Sequence, residues 1–116
     1  MKSGTPYSQG DIILVPFPFT NLMAVKRRPV LILSKGEYNS KADDVITCGI
    51  TSNINDSNHS VIIDNTDLIE GSIPLQSRIK VDKLFTLEQS IVIKKLGKVN
   101  TNIFESVKKE LHKLID

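Results

Sequence analysis

The fold of this chain turns on the stretch KRRPVLILS, Lys26–Ser34. Val30–Leu33 is an unbroken aliphatic run bounded by Pro29 and Ser34, the pattern of a short strand buried on both faces. Arg28 precedes a proline, which biases its backbone toward extended conformations. Lys26, Arg27 and Arg28 thus end a loop at the mouth of the most apolar element. The formal net charge of the chain is only +2, so three adjacent cations at that place call for a reason. A guanidinium fixed at a strand end makes a phosphate clamp, being planar, always charged and bidentate. Surface cations also guard a buried strand against aggregation. Both readings fit this stretch taken alone.

Short β-type runs continue on either side of it. DIILVPFPF (Asp11–Phe19) follows Gly10, and its Pro16 and Pro18 must leave the hydrogen-bond ladder or lie at an edge. DVITCGITS (Asp44–Ser52), SVIID (Ser60–Asp64), SRIKVDKLFTL (Ser77–Leu87) and SIVIKKLGKV (Ser90–Val99) follow. In the fifth run, alternation turns Ile79, Val81 and Leu84 inward. Turn signals at 53–58, DNTD and EGS separate the runs. Short strands at this spacing imply a small barrel or sandwich. The end of the chain differs. Ile103, Phe104, Val107, Leu111, Leu114 and Ile115 form one stripe at helical period, with Asn102 and Glu105 spaced as a capping box.

Charge is unevenly spread. Residues 1–35 hold five Lys/Arg and one acid; residues 36–76 hold one Lys and seven acids; residues 77–116 hold nine Lys/Arg and five acids. If the two basic ends meet in the fold, they build a basic face for a polyanion; otherwise they are scattered solvated cations. The length of 116 residues predicts a single domain, 1–116. Cys48 has no second cysteine to pair with, which favours a reducing compartment. No apolar run approaches the roughly 18–20 residues of a membrane span. MKSGTPYSQG lacks the apolar middle of a signal peptide. The expected location is the cytoplasm, with no membrane.

Few residues offer catalytic chemistry. His59 and His112 stand far apart without neighbouring ligands, and Asp43–Asp44 reads as a solvated turn, so no metal site and no cofactor are expected. No Gly-rich phosphate loop is present. Cys48 lies mid-strand as a small buried hydrophobe. What remains is Arg27 and Arg28, together with ITSN (Ile50–Asn53). There Thr51, Ser52 and Asn53 either donate to phosphate oxygens at a strand end or form an ordinary turn.

In order and spacing these segments resemble the MazF/PemK (Kid) family of type II toxin–antitoxin ribonucleases. The resemblance runs from GDIILVPFPFT (Gly10–Thr20) through RRPVLILS (Arg27–Ser34) and DVITCGITS to IKVDKLFTLEQSIVIKKLGKV (Ile79–Val99), and ends on the amphipathic helix. It implies a small SH3-like β-barrel with a C-terminal α-helix, the MazF/CcdB-type toxin fold, and a homodimer. It implies metal-independent cleavage of single-stranded RNA, and an antitoxin that binds through a disordered, often acidic segment. It carries the catalytic arginine onto Arg28 and the catalytic threonine onto Thr51. An Arg-x-Asp pair found in some members falls on Lys80 and Asp82. Lys26, Arg27, Ser52, Asn53, Arg78 and Thr20 are further candidates for catalysis or RNA contact. The loop NLMAVK (Asn21–Lys26) departs from the Gly- and Gln-containing loop of many members, so the cleavage motif does not transfer.

The implied chemistry is attack by a ribose 2′-OH on its own 3′-phosphate, with Arg28 stabilising the phosphorane charge and Thr51 fixing the phosphate. Asp82 and His59 are the bases to try. A gyrase-directed binding toxin of the CcdB type, or an inactive nucleic-acid- or antitoxin-binding barrel, would share the architecture without the reaction.

Overall fold

The computed structural model describes residues 7–18 and 25–116. Among the described residues, seven strands form one antiparallel sheet: β1 (Asp11–Pro18), β2 (Val25–Ile32), β3 (Asp44–Thr51), β4 (Ser60–Ile63), β5 (Leu68–Gly71), β6 (Ser77–Glu88) and β7 (Lys94–Val99). Their order across the sheet is β4-β6-β3-β2-β1-β7-β5, and the sheet curls into a half-barrel, in line with the expected small barrel. Helix α1 (Gly36–Lys41) joins β2 to β3, and α2 (Thr101–Ile115) closes the fold. Among the described residues, no helix is long and apolar enough to cross a membrane. Thr20 and positions 21–24 of the divergent loop lie outside the described residues.

Strand alternation sorts the apolar residues onto two faces. Ile12, Leu31, Cys48, Ile50, Ile79 and Val81 point to one side, where Val107, Ile103, Phe104 and Leu111 of α2 cover them. Ile13, Val15, Val30, Ile32, Val45 and Leu87 form a second cluster. Val30, Leu31 and Ile32 therefore contribute to both, as their unbroken apolar pattern predicts. Pro16 and Pro18 pair with β2 alone, because β7 pairs with β1 only over Asp11–Leu14. They occupy the stretch with one open side, which a residue without an N–H requires.

β2 begins earlier than its sequence implies. Arg27 and Arg28 do not end a loop: they sit in the ladder, opposite Pro16 and Val15. Leu33 N–H donates to Ile46 O on β3 at 2.8 Å. N–H groups alternate sides along a strand, so Leu31 and Pro29 share that orientation. The N–H that Pro29 lacks is the one that would face β3. The β2–β3 ladder stops there, at Val30↔Gly49, while the β1–β2 ladder continues to Pro18↔Val25.

Other elements also differ from expectation. Leu84 is 46% exposed rather than inward. Against β3, the β6 register jumps from Gly49↔Lys80 to Cys48↔Leu84, a bulge that re-aims the residues after it. Residues 90–93 are not strand; a 3-10 turn at Gln89–Ile91 precedes β7. EGS is not a simple turn, because Leu68–Gly71 pairs with β7 as an edge strand. Gly71 permits this: at φ +74 a Cβ would run into the Leu96 carbonyl oxygen. The N-cap of α2 is Asn100, whose side chain accepts from Ile103 N–H at 2.8 Å, and not Asn102. Asn100 N–H also donates to Asp67 O, which ties the cap to the 3-10 turn at Asn65–Asp67. Helix α1, unanticipated, hangs on the fully buried Asn39, which donates to Ser34 O and accepts at its carbonyl from Gln89 Nε2.

Candidate active site

Continuing the β2–β3 register by two residues sets Arg28 across from Thr51, just beyond the point where Pro29 ends the ladder. Arg28 remains paired with Val15 on β1, and Thr51 with Arg78 on β6. Each side chain is thus carried by a strand held on its outer side and parted from its neighbour on the inner side. Arg28, Pro29, Ile50 and Thr51 line two concavities at once, forming the ridge between them. The larger is an open groove of about 710 Å³ that also takes in Gly49, Lys80, Lys83, Leu84 and Phe85. The smaller, about 320 Å³, takes in Lys26, Arg27, Ser52 and an apolar end at Ile73–Leu75.

Thr51 Oγ1 accepts from Asn53 N–H at 3.1 Å. A hydroxyl oxygen used as an acceptor still has its own proton to donate. The ITSN stretch is therefore a turn that holds the Thr51 hydroxyl through its oxygen and leaves its proton to be donated. Lys80 donates to Ser57 Oγ at 3.2 Å and lines the larger groove. Arg78 is 12% exposed and engaged beneath the 52–58 loop. It donates to Ile54 O and Ser60 Oγ, and its Nη1 lies 3.7 Å from Asp56 Oδ1. Arg78 shapes the groove wall and is not among the lining residues.

The two bases singled out from sequence lie elsewhere. Asp82 belongs to the β6 bulge and lines neither concavity; its charge acts on Cys48. Burial first, and Asp82 second, push the Cys48 thiol up to about 12, so it is no nucleophile. His59 adopts φ +57 at the start of β4, with Nδ1 3.8 Å from the Glu110 carboxylate of α2. The carboxylate that does line the larger groove is Asp56, 97% exposed on the loop after β3. Among the described residues, no three His, Cys, Asp or Glu side chains cluster as a metal site.

Of the residues singled out from sequence, Arg28, Thr51, Asn53 and Lys80 line the larger groove, and Lys26, Arg27 and Ser52 line the smaller one, as do Arg28 and Thr51. Sequence reasoning missed Phe17, Leu84 and Phe85, the apolar wall of the larger groove. For Leu84 and Phe85 the signal was the break in alternation at DKLF, Asp82–Phe85, where two polar residues precede two apolar ones.

No curated protein gives a significant match. Several solved structures share the fold. A MazE–MazF crystal structure (Form III) from Deinococcus radiodurans superposes with a TM-score of 0.78 at 18% identity, covering 96% of this chain and 97% of that one. An endoribonuclease from Mycobacterial species gives a TM-score of 0.75 at 19% identity, over 97% and 93%. Mycobacterium tuberculosis toxin MazF-mt6 gives 0.70 at 16% identity, over 89% and 93%. At such identities the likeness is one of fold. The family model of PemK-like, MazF-like toxins matches residues 8–115, nearly the whole sequence. The chain belongs to the PemK-like, MazF-like toxins of type II toxin–antitoxin systems.

Proposed function

We propose that this toxin cleaves single-stranded RNA at the Arg28–Thr51 ridge. The observation that carries the reading is the pair itself: a guanidinium and an oriented hydroxyl on the shared wall of two grooves. In the reaction a ribose 2′-OH attacks its own 3′-phosphate and loses its proton. The P–O5′ bond breaks and O5′ takes up a proton, giving a 2′,3′-cyclic phosphate and a 5′-OH. Charge accumulates on the non-bridging oxygens, where Arg28 stabilises it and Thr51 donates a hydrogen bond. Arginine stays protonated, so the proton acceptor is another group, and Asp56 is the carboxylate in the groove. Dependence on the 2′-OH makes RNA, not DNA, the substrate.

The partners follow from the family and from the fold relatives, which include MazE–MazF crystal structures. The proposed regulator is an acidic antitoxin segment that competes with RNA for the cations around the ridge. The proposed assembly is a homodimer in the cytoplasm, to be checked by light scattering at micromolar concentration.

The test is purified protein with single-stranded RNA in EDTA, beside Arg28→Ala and Thr51→Ala. Cleavage by the wild type and loss in both variants is the expected result. Equal cleavage by all three overturns the site. Cleavage that persists with a 2′-deoxy nucleotide at the cut overturns 2′-OH attack. No cleavage at all favours a binding-only barrel.

A further inference from the structure

Beside the proposed scissile phosphate, the larger groove carries a wall that phosphate chemistry does not use. Leu84 and Phe85 face the groove because the β6 bulge turns them there. Phe85 is not a loose surface ring. Its carbonyl accepts from the buried Thr47 hydroxyl at 2.9 Å, and its ring packs against Phe17 with centroids 5.1 Å apart at 50°. Opposite the bulge stands Gly49, which lines the groove without a side chain; a Cβ there would meet Lys83 Cβ at 3.7 Å. Lys80 and Lys83 line the same groove. Rigid aromatic surface with flanking cations is what single-stranded nucleic acid binds, through stacked bases and steered phosphates.

We propose that this wall is a seat for one unstacked nucleobase adjacent to the scissile phosphate, with Phe85 as its stacking platform and Leu84 as its side. The proposal rests on the ribonuclease reading and adds a substrate contact to it. A base held there fixes the sugar whose 2′-OH must line up with the phosphate, so Phe85 acts on specificity and positioning. The missing side chain at Gly49 gives the base its depth.

The test uses an RNA oligonucleotide that the wild type cleaves, and two matched oligonucleotides that carry an abasic ribonucleotide on one or the other side of the cut. Both keep the 2′-OH and the phosphates. The wild type is expected to lose about 10-fold or more in kcat/KM on one abasic substrate, the scale of one lost stacking contact. Phe85→Ala is expected to lose a similar factor on the full substrate and nothing further on that abasic one, while Phe85→Trp keeps the wild-type pattern. The abasic-to-full ratio is read within each variant, so a smaller folded fraction leaves it unchanged. Leu84→Ala gives the same readout at an exposed residue, and Gly49→Val gives it from the groove side. An abasic penalty equal in the wild type and in all these variants overturns the proposal. It is equally overturned if Phe85→Ala preserves the cleavage pattern and weakens only the binding of an acidic antitoxin peptide. A wild type that cuts no single-stranded RNA removes the ribonuclease reading itself, which separates that failure from failure of the base seat.

Discussion

In the proposed reaction Arg28 acts through shape as well as charge. Lysine keeps the charge and loses the planar fork that spans two phosphate oxygens. Arg28→Ala is expected to lower kcat/KM by about 10²–10³, the scale of one oxyanion donor, and Arg28→Lys to recover only part of it. Thr51→Ser keeps the hydroxyl and should retain most activity, whereas Thr51→Val removes it and should lose roughly 10–100-fold, the worth of a hydrogen bond to a charged group. Single-turnover cleavage of a labelled oligonucleotide checks all four. Cys48 supplies a separate test, of burial rather than activity. Its thiol is raised from 9.0 to about 12, chiefly by burial, so the folded state binds the proton more tightly than the unfolded state does. The sign follows: this contribution is fully present below about pH 9 and is lost as pH rises toward 12. Urea unfolding at pH 8 and pH 10.5 should therefore show a steeper fall in the wild type than in Cys48→Ala, by up to about 1.4 kcal/mol per pH unit. Equal slopes would mean that the thiol is not shielded. At this scale the proposed pair, Arg28 and Thr51, was singled out through the family resemblance, and the strand register sets the two positions across from each other. The positions of Asp82 and His59 were not legible, because a bulge and a left-handed turn decide where those side chains go.

At the level of elements, the signals that failed were those that a neighbour overrides. Both Asn100 and Asn102 are good N-cap residues, and only Asn102 has the Glu three positions later that marks a capping box. The structure uses Asn100, whose N–H is held by Asp67 O from another turn. The consequence is specific. Asn100→Ala should cost about 1 kcal/mol in chemical denaturation, and Asn102→Ala less than about 0.5. The reverse order would restore the sequence-based cap. The same lesson applies to α1, whose six residues have no helical stripe. It forms around the buried Asn39 and its bond from Gln89, fifty positions away. Strand identity, by contrast, was legible for β1, β3, β4 and β6, although Ile62 of β4 and Leu84 of β6 turn outward. For β2 the pattern was right and its start was not, since a proline reads as a boundary while here it stops only one of two ladders.

Taken whole, the molecule answers the question posed by its charge map, though only in part. The first and third segments do meet: Arg28 on β2 and Lys80 and Lys83 on β6 line one groove, with Thr51 between their strands. Other cations of those segments are used structurally. Lys95 and Lys98 both lie 3.2 Å from the buried Asp11 carboxylate, and Lys95 also reaches Glu70. On α2, Lys108 and Lys113 pair with Glu105 and Glu110. The basic face is thus made by a few cations, which sequence counting could not separate from the rest. This partition has a measurable form. Single-stranded binding weakens with salt by a slope of about 0.7 per phosphate contact. With an uncleavable RNA that carries a 2′-deoxy nucleotide at the cut, fluorescence anisotropy across a salt series gives that slope. Lys80→Gln with Lys83→Gln should reduce it by about 1.4, two contacts' worth. Lys108→Gln with Lys113→Gln should leave it unchanged, although it removes the same formal charge. If both pairs lower the slope equally, net charge alone draws the RNA, and the groove has no special part in holding it.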